Sequence, residues 1–315
     1  MWTRKVRTER QHYHHRNACR NEARQLSATI VACVSPAPSS PASGATTPAN
    51  VSEDLAFALR LADAADRVAM SYFDTPDLVV SVKADASQVT EADLSTERAI
   101  RELIGAERST DGILGEEFGV SGDSSRQWVI DPIDGTANFL RGIPMWATLI
   151  ALLIDGVPRV GVVSQPAIAR RWWGASGLGA WTATANGPCR ISVSRVDRLT
   201  KASVSFQSIS QWDGAGQTNT LLRLSRAVGR DRGYGDAWPY MLLAEGRLEM
   251  VAEFDVKSYD IAAHVPIITE AGGQFTSFRG DTSLNDGSAL ASNGTLHSAF
   301  LDLLHPAPST PEPRL

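Results

Sequence analysis

The sequence feature that most constrains the fold of this chain is residues 128–139, which read WVIDPIDGTANF. Three apolar residues predict a buried strand that ends at Asp131, because Pro132 cannot donate to a strand ladder. Asp131 and Asp134 then bring two carboxylates to the tip of that strand. Like charges this close repel each other unless a cation lies between them. We therefore expect this tip to bind divalent metals, and the residues after it to bind a phosphate.

The composition is that of a globular protein with a substantial core and an acidic body. The chain has 315 residues, 43% of them hydrophobic and 21% charged, and its formal net charge is −5. Residues 1–50 hold seven of the Lys and Arg residues and only two acidic ones, so the rest carries 23 basic against 33 acidic residues. An acidic body argues against nucleic acid as a partner. No apolar run approaches the ~20 residues that span a bilayer, which argues against a membrane protein.

The first 50 residues differ from everything after them. A basic stretch is followed by a Pro/Ser/Ala/Thr tract that cannot bury enough surface to fold. It is interpreted as a disordered or non-native extension, an organelle transit peptide, or a secretory or lipoprotein signal around residues 30–33. We expect one folded domain with two sub-lobes over residues 51–305, and a loose tail over residues 306–315.

The three cysteines, Cys19, Cys33 and Cys189, are widely spaced. This spacing suggests neither a disulfide framework nor a zinc site, and it favours a reducing compartment. We therefore expect the protein to be cytoplasmic, with the transit and signal interpretations of the N-terminus left open.

Hydrophobic periodicity and turn residues predict helices mixed with many antiparallel strands. Predicted helices cover residues 53–73 (N-cap Ser52), 91–104 (N-cap Thr90), 216–228, 237–245 (N-cap Asp236) and 260–270. Predicted strands cover residues 78–82, 113–114, 128–130, 146–154, 157–164, 171–176, 177–181, 191–193, 202–206, 247–254, 276–278 and 289–292. This mixture favours a layered α+β fold over a doubly wound parallel sheet.

Further candidate ligands stand where predicted strands end or helices begin: Glu116 and Glu117 after one strand, and Asp260 at a helix start. Hard divalent cations prefer such oxygen ligands. Two or three Mg²⁺ ions would polarise a phosphate and lower the pKa of a bound water. Each signal alone has a plain structural explanation, a helix cap for Asp260 or a solvated turn for the glutamates, and their co-occurrence is what indicates a site.

The residues after the strand tip are suited to an anion. Gly135, Thr136 and Ala137 offer backbone N–H groups at a helix start. The histidines of the body are scattered and no cysteine there is a plausible nucleophile. Direct attack by water is therefore favoured over a covalent intermediate.

Three segments resemble the signatures of the inositol monophosphatase superfamily: GEE at 115–117, residues 128–139, and YDIAAHVPIITEAGG at 259–273. The resemblance covers roughly residues 52–304. Within the superfamily the chain is most similar to actinobacterial histidinol-phosphate phosphatases, on the hairpin at 161–181 and on YGD at 234–236. Tyr259 replaces the tryptophan that most members carry before the last metal-binding aspartate.

The resemblance implies a layered αβαβα sandwich of the inositol monophosphatase/fructose-1,6-bisphosphatase type, dependence on Mg²⁺, and a homodimer. It also implies a role for each matching residue. The implied metal ligands are Glu116, Asp131, the Ile133 carbonyl, Asp134, Asp260 and Asp93; the implied catalytic residues are Glu116, Asp131 and Thr136; the implied phosphate contacts are Gly135 and Thr136.

The implied reaction is hydrolysis of a small phosphomonoester, L-histidinol phosphate, by metal-activated water. The alternatives are an inositol-1-phosphate or broad sugar-phosphate phosphatase of the same fold, and a non-catalytic relative. Asp236 and Asp260 are the candidate substrate-binding residues, since a carboxylate can accept a hydrogen bond from an ammonium or an imidazole. Stacking of Trp172, Trp173 or Trp238 on the substrate ring is a further expectation.

Overall fold

The computed structural model describes residues 48–75, 80–82 and 88–305. The predictions for residues 1–47 and for the tail 306–315 lie outside the described residues. Within the described ranges no helix is both long and apolar enough to cross a membrane. Cys189 carries a disulfide bond, which its wide spacing from the other cysteines did not lead us to expect; those two cysteines lie outside the described residues.

Nine helices and fifteen strands are found in the described part of the chain. The helices are α1 Pro48–Tyr72, α2 Glu91–Glu107, α3 Thr136–Phe139, α4 Ile209–Gly214, α5 Thr218–Ala227, α6 Trp238–Ala244, α7 Ser258–Ile261, α8 His264–Glu270 and α9 His297–Leu304. The strands are β1 Val80–Val82, β2 Gln88–Thr90, β3 Gly112–Gly115, β4 Gly119–Ser121, β5 Arg126–Asp134, β6 Ala147–Ile154, β7 Val157–Gln165, β8 Arg170–Ala175, β9 Gly179–Thr184, β10 Gly187–Arg190, β11 Ser203–Ser205, β12 Arg230–Arg232, β13 Met250–Phe254, β14 Gln274–Thr276 and β15 Ser288–Ser292.

Two large sheets alternate with three layers of helices. The first sheet has eight strands in the order β10-β9-β8-β7-β6-β5-β3-β4, and the second has five in the order β12-β11-β13-β15-β14. Helices α1 and α2 pack on one face of the first sheet, α6 and α8 lie between the sheets, and α5 and α9 cover the outer face of the second. This is the layered αβαβα sandwich that the sequence predicts.

The first sheet is built around strand β6, which is buried at all eight positions. Its apolar run therefore reads as a strand covered on both faces, as predicted. Asp155 and Gly156 follow with φ of 52° and 76°, the left-handed geometry of a tight two-residue hairpin, and the chain returns antiparallel as β7. The hairpin predicted from Asp155-Gly156 is confirmed.

The strand predicted to end at Asp131 continues to Asp134, so that boundary is wrong. Asp131 pairs with Leu149 and Asp134 pairs with Ala147, with a register shift between them. Pro132 has no N–H to give to the ladder, and the chain bulges there instead of leaving the sheet. The bulge places both carboxylates at the end of a strand that is still held by its neighbour.

Two predicted caps and one predicted strand are also wrong. Helix α1 begins at Pro48, because proline is well suited to a first helical turn, so Ser52 lies inside the helix. Asp236 has a positive φ of 51° and does not cap α6, whose N-cap is Ala237. Residues 191–193 form no strand: their backbone donors are divided between Ala180 and Ala271.

The single helix predicted over residues 260–270 is divided into α7 and α8. Pro266 lacks the N–H that would bond to the Ala262 carbonyl, and the helix breaks at residues 262–263. The single predicted helix is therefore interrupted one turn before the proline.

Two glycines let α8 approach the first sheet closely. Gly161 on β7 and Gly174 on β8 face each other in the ladder. A Cβ at Gly161 would lie 2.1 Å from the Ala263 carbonyl oxygen, and one at Gly174 would lie 2.7 Å from Ile267 Cα. Neither contact leaves room for a side chain. The glycine pair therefore sets the position of α8 and, through the break, of α7.

We expect Gly161→Ala to lower the free energy of unfolding of the full chain by about 1–3 kcal/mol, because the added methyl overlaps a helix backbone. Urea unfolding at fixed pH measures the change. Gly105→Ala is the matched control: a Cβ there meets nothing within 4 Å, so stability should stay the same or rise by up to about 1 kcal/mol. Equal midpoints for Gly161→Ala and wild type would contradict the close approach.

Candidate active site

The end of β5 supplies three of the candidate ligands. Asp131 is 2% exposed, and its Oδ1 accepts the Ile133 N–H at 3.1 Å. Asp134 Oδ2 accepts the Ala237 N–H at 2.6 Å, which ties the strand end to the start of α6. The bulge thus leaves both aspartates at the strand end, where a backbone N–H fixes each of them.

Glu116 lies in the turn after β3, beside Asp131. Its side chain hydrogen-bonds with that of Asp131, and its own N–H donates to the Ile130 carbonyl at 3.1 Å. Because β3 and β5 are parallel neighbours, the chain positions that follow them meet at one edge of the sheet. The structure therefore brings Glu116 and Asp131 together, as the sequence predicts.

Glu97 of α2, a residue that sequence analysis did not identify, hydrogen-bonds to the turn that carries Glu116. Glu97 is fully buried, and its carboxylate accepts the N–H groups of Glu117 at 2.8 Å and Phe118 at 3.3 Å. Arg101 Nε pairs with the same carboxylate at 2.6 Å. A Cβ at Gly115 would lie 1.9 Å from Glu97 Oε1, so only glycine fits between this carboxylate and the turn.

The start of α2 carries Asp93 to the same edge. Thr90 and Asp93 form a capping box in which Asp93 Oδ2 accepts the Thr90 N–H at 2.7 Å. The other oxygen, Oδ1, accepts the Thr136 hydroxyl at 3.3 Å. That hydroxyl also lies 3.1 Å from the Ile133 carbonyl. The cap predicted at Thr90 is confirmed, and Asp93 joins the elements on either side of Gly135.

Asp260 completes the group from α7. Its Oδ2 accepts the Lys257 N–H at 2.7 Å, which fixes the side chain at the first turn of the helix. Charge coupling with Glu116, Asp131 and Asp134 shows that it faces the same space. The structure therefore gathers the carboxylates that sequence analysis named, from segments that are far apart in the chain.

Burial and mutual repulsion raise the pKa values of these carboxyls. Burial, followed by the charge of Glu116, raises the pKa of Asp131 well above its usual value; burial and the charge of Asp236 do the same for Asp134. Burial raises the pKa of Asp260 to about 7, although the Lys257 N–H opposes the shift. Without a cation, the group is stable only when it holds extra protons.

These donors fit a hard divalent cation by their chemistry. All are oxygens, and their repulsion is the kind that a bound cation relieves. Within residues 48–75, 80–82 and 88–305, however, no three His, Cys, Asp or Glu side chains converge closely enough to form a ready-made metal cluster. The candidate metal ligands lie near one another but do not converge on a single point. Glu116 and Asp131, for example, hydrogen-bond to each other.

Gly135 and Asp236 form the opposite wall. Gly135 has a φ of 88°, and a Cβ there would lie 3.1 Å from the Met145 carbonyl and 3.3 Å from Asp236 Oδ2. Asp236 is held by two amides: Asn138 Nδ2 donates to Oδ2 at 2.8 Å, and Gln207 Nε2 donates to Oδ1 at 3.3 Å. Burial raises the Asp236 pKa. The left-handed glycine is required here by both conformation and space.

A cavity of about 190 Å³ opens beside this group of carboxylates. Both predicted substrate-binding residues, Asp236 and Asp260, line it. The complete lining is Asp134, Gln207, Gln211, Asp236, Tyr240, Glu253, Asp255, Val256, Asp260 and His264. None of these described lining residues is a lysine or an arginine, so the cavity is strongly acidic.

The three tryptophans expected to stack on a substrate are not among the residues that line this cavity. Trp172 is buried and donates to Glu245 at 2.7 Å while packing edge-on against Trp238. Trp173 packs into the cluster on the other face of the sheet. Adjacent residues of a strand point to opposite faces, and here both faces are core.

Sequence analysis missed Glu253, Tyr240 and His264 of the cavity wall. Glu253 had a detectable signal, because it is the one charged residue within the apolar strand β13. Tyr240 and His264 had none, since aromatic residues on helices are most often core. Their role depends on how α6 and α8 pack between the sheets, which local patterns do not reveal.

Comparisons with known proteins agree with this architecture. The model of the inositol monophosphatase family matches residues 50–309. A histidinol-phosphatase from Mycobacterium tuberculosis is 48% identical over 255 residues, covering 80% of this chain and 98% of that protein. One from Streptomyces coelicolor is 46% identical over 258 residues, covering 80% and 97%. The solved inositol monophosphatase from Anabaena aligns with a TM-score of 0.71 at 29% identity, covering 82% and 98%.

The raised pKa values predict an unusual pH dependence without metal. Asp260 and Glu253, with pKa values of about 7 and about 8, bind protons in the folded chain that the unfolded chain has lost. In chelator, stability should therefore fall as the pH rises from about 4.5 to about 9, and these two groups account for a loss of about 2 kcal/mol between pH 7 and pH 9. His264 and His297 have lowered pKa values and add little here, because unfolded histidines are already mostly neutral above pH 7.

Urea unfolding at pH 7, 8 and 9, with EDTA or with 10 times the half-saturating Mg²⁺, measures this effect. A bound cation offsets the repulsion, so the slope should flatten in Mg²⁺. A slope that is the same in EDTA and in Mg²⁺ would show that the carboxylates do not share a cation.

Glu97→Gln should weaken metal binding, because an amide cannot serve two N–H donors and Arg101 together. We expect the Mg²⁺ concentration for half of the metal-induced rise in melting temperature to increase about 10-fold. Glu107→Gln, on the same helix but paired with exposed Arg60, should leave that concentration unchanged. Identical Mg²⁺ titrations for the two variants would mean that Glu97 does not position the site.

Proposed function

The chain belongs to the inositol monophosphatase family, and we propose that it is a Mg²⁺-dependent histidinol-phosphatase, which hydrolyses L-histidinol phosphate to L-histidinol and phosphate. The observation that carries the proposal is the 46–48% identity to two histidinol-phosphatases over nearly their whole length. The gathered carboxylates support the phosphatase chemistry independently. The place of the enzyme is then in histidine biosynthesis.

The proposed metal ligands are Glu116, Asp131, the Ile133 carbonyl, Asp134, Asp260 and Asp93. When bound, Mg²⁺ polarises the phosphoryl group, lowers the pKa of a coordinated water and stabilises the leaving oxygen. The chain would supply oxygens for two or three ions, and a backbone N–H or a capping interaction holds the four aspartates among them. Asp131, between Glu116 and Asp134, is the proposed bridging ligand.

Thr136 is the proposed partner of the attacking water. Its hydroxyl lies within hydrogen-bonding distance of Asp93 Oδ1, at 3.3 Å, and of the Ile133 carbonyl, at 3.1 Å, and the oxygen lone pairs are left to accept a hydrogen bond from water. A proton leaving the water can therefore pass to Thr136 as the threonine proton moves to Asp93, while Glu116 orients the water from the other side. Burial raises the Asp93 pKa, which makes this carboxylate a better proton acceptor.

Gly135 and Thr136 are the proposed phosphate contacts. The first N–H groups of a helix have no intrahelical acceptor, and at the start of α3 they border the carboxylate group. A phosphate there would accept hydrogen bonds from these backbone donors, and metal ions held by the neighbouring carboxylates would offset its charge. Asp236, whose carboxylate accepts hydrogen bonds from two side-chain amides, is the proposed contact on the side of the leaving group.

The remaining parts of the proposal rest on the family resemblance. We propose a homodimer in the cytoplasm, with residues 51–305 as the phosphatase domain. The small phosphomonoester is the proposed partner, with no role for nucleic acid or a membrane.

The proposal is tested by a substrate panel with purified full-length protein and Mg²⁺. We expect kcat/KM for L-histidinol phosphate to exceed that for inositol 1-phosphate by at least about 100-fold, because a site with buried polar groups rejects a substrate that leaves them unpaired. Faster release of phosphate from inositol 1-phosphate would overturn the substrate assignment. Asp131→Asn controls for contaminating phosphatase and should reduce the rate to background; an unchanged rate would refute the mechanism.

A further inference from the structure

The acidic cavity has an aromatic wall that the hydrolytic reaction does not use. The His264 and Tyr240 rings stack with centroids 4.3 Å apart and an interplanar angle of 17°. His264 belongs to α8 and Tyr240 to α6, so the pair joins the two helices that lie between the sheets. Both residues line the cavity beside Asp134 and Asp260.

His264 has an unpartnered polar atom in this wall. The residue is 1% exposed, yet its Nδ1 has no hydrogen-bond partner among the described residues. Burial lowers the His264 pKa to about 3, so the ring is neutral at physiological pH. A buried polar group without a partner is costly and uncommon. Beside a substrate cavity, it indicates a hydrogen bond that is made to a ligand.

Tyr240 also fixes the carboxylate next to His264. Its hydroxyl donates to Glu253 Oε1, and Glu253 is 6% exposed. No other hydrogen bond to Glu253 is found in the described residues, so Oε2 is available to a ligand. One tyrosine therefore holds a neutral imidazole by its ring and a carboxylate by its hydroxyl.

Resting on the proposed function, we propose that His264 is a specificity-determining residue that hydrogen-bonds the imidazole of the leaving group, and that Tyr240 positions it. The ammonium group of the same substrate supplies the positive charge that lets Glu253 ionise and pair with it. The subsite thus selects a leaving group that carries both a nitrogenous ring and a positive charge. A polyol offers hydroxyls but neither of these features, and it would leave the anionic wall without a counter-charge.

His264→Phe tests the inference, because it keeps a ring for stacking and removes both nitrogens. The probes are L-histidinol phosphate and β-glycerophosphate, which has a neutral aliphatic leaving group. We expect KM for L-histidinol phosphate to rise at least about 10-fold while kcat stays within about 3-fold. The kcat/KM for β-glycerophosphate should change less than about 3-fold. Equal losses on both substrates, or no loss on either, would overturn the assignment.

Tyr240→Phe keeps the stack and removes the hydroxyl from Glu253, so it remains informative if His264→Phe fails to fold. It should show the same selective loss on the cationic substrate. The matched control is Tyr72→Phe on α1, which removes a hydroxyl contact to Ser95 of α2 and should leave the preference between the two substrates unchanged. An equal fall in kcat/KM on both substrates for Tyr240→Phe would show that Tyr240 has only a structural role.

Calorimetric titration of the Mg²⁺-loaded full chain with L-histidinol separates this inference from the proposed function. Wild type that binds L-histidinol, and binds it at least about 10-fold more weakly as His264→Phe, supports the subsite even if L-histidinol phosphate is not turned over. Turnover of L-histidinol phosphate with equal L-histidinol affinity in both proteins keeps the function and overturns the subsite. Absence of both binding and turnover overturns both.

Discussion

The whole site depends on one unfavourable interaction, the repulsion between buried carboxylates that share one edge of a sheet. Each is taken out of water, and burial and neighbouring charges raise the pKa values of Asp131, Asp134 and Asp260. A fold keeps such a group only if other parts of the chain hold it in place. Here parallel strands, a bulge, a capped helix and a short helical turn each fix one member, so the site is prepared for cations.

The layers explain how distant segments meet. Strands β3 and β5 are parallel neighbours, so the residues after each arrive at the same edge. Helix α2 adds Asp93 at its start and, one turn later, uses Glu97 to hold the Glu116 turn. Helix α7 brings Asp260 from the far side, between the sheets. The candidate ligands therefore come from the ends of elements, whereas the interiors of those elements form the core.

Part of this was predictable from sequence because the information is local. The Thr90 cap, the Asp155-Gly156 hairpin and the layered α+β class depend on residues close together in the chain, and they match the structure. The candidate ligands are also close to strand or helix ends, so their gathering at one edge followed from topology. Boundaries failed where tertiary contacts decide, as at Asp131, where a neighbouring strand holds the chain past a proline.

The residues of the cavity wall could not be predicted from the sequence for a different reason. Tyr240 and His264 meet because α6 and α8 pack side by side between the sheets, beside Glu253 of β13, and only the charge of Glu253 in an apolar strand was visible in the local sequence. Trp172 shows the opposite error, a prominent aromatic residue whose contacts are all structural. Unusual residues in a sequence indicate chemistry only when the packing leaves them facing a space.

The paired glycines of β7 and β8 have a consequence for recombining this enzyme with its relatives. The helical segment over residues 258–273 carries the candidate metal ligand Asp260 and part of the cavity wall. Its depth in the molecule is set by Gly161 and Gly174, about a hundred residues earlier in the chain. A chimera that exchanged this segment alone would receive its side chains but not the two glycines that let the segment pack at this depth. The two strands and the helix should therefore be exchanged together, although they are far apart in the sequence.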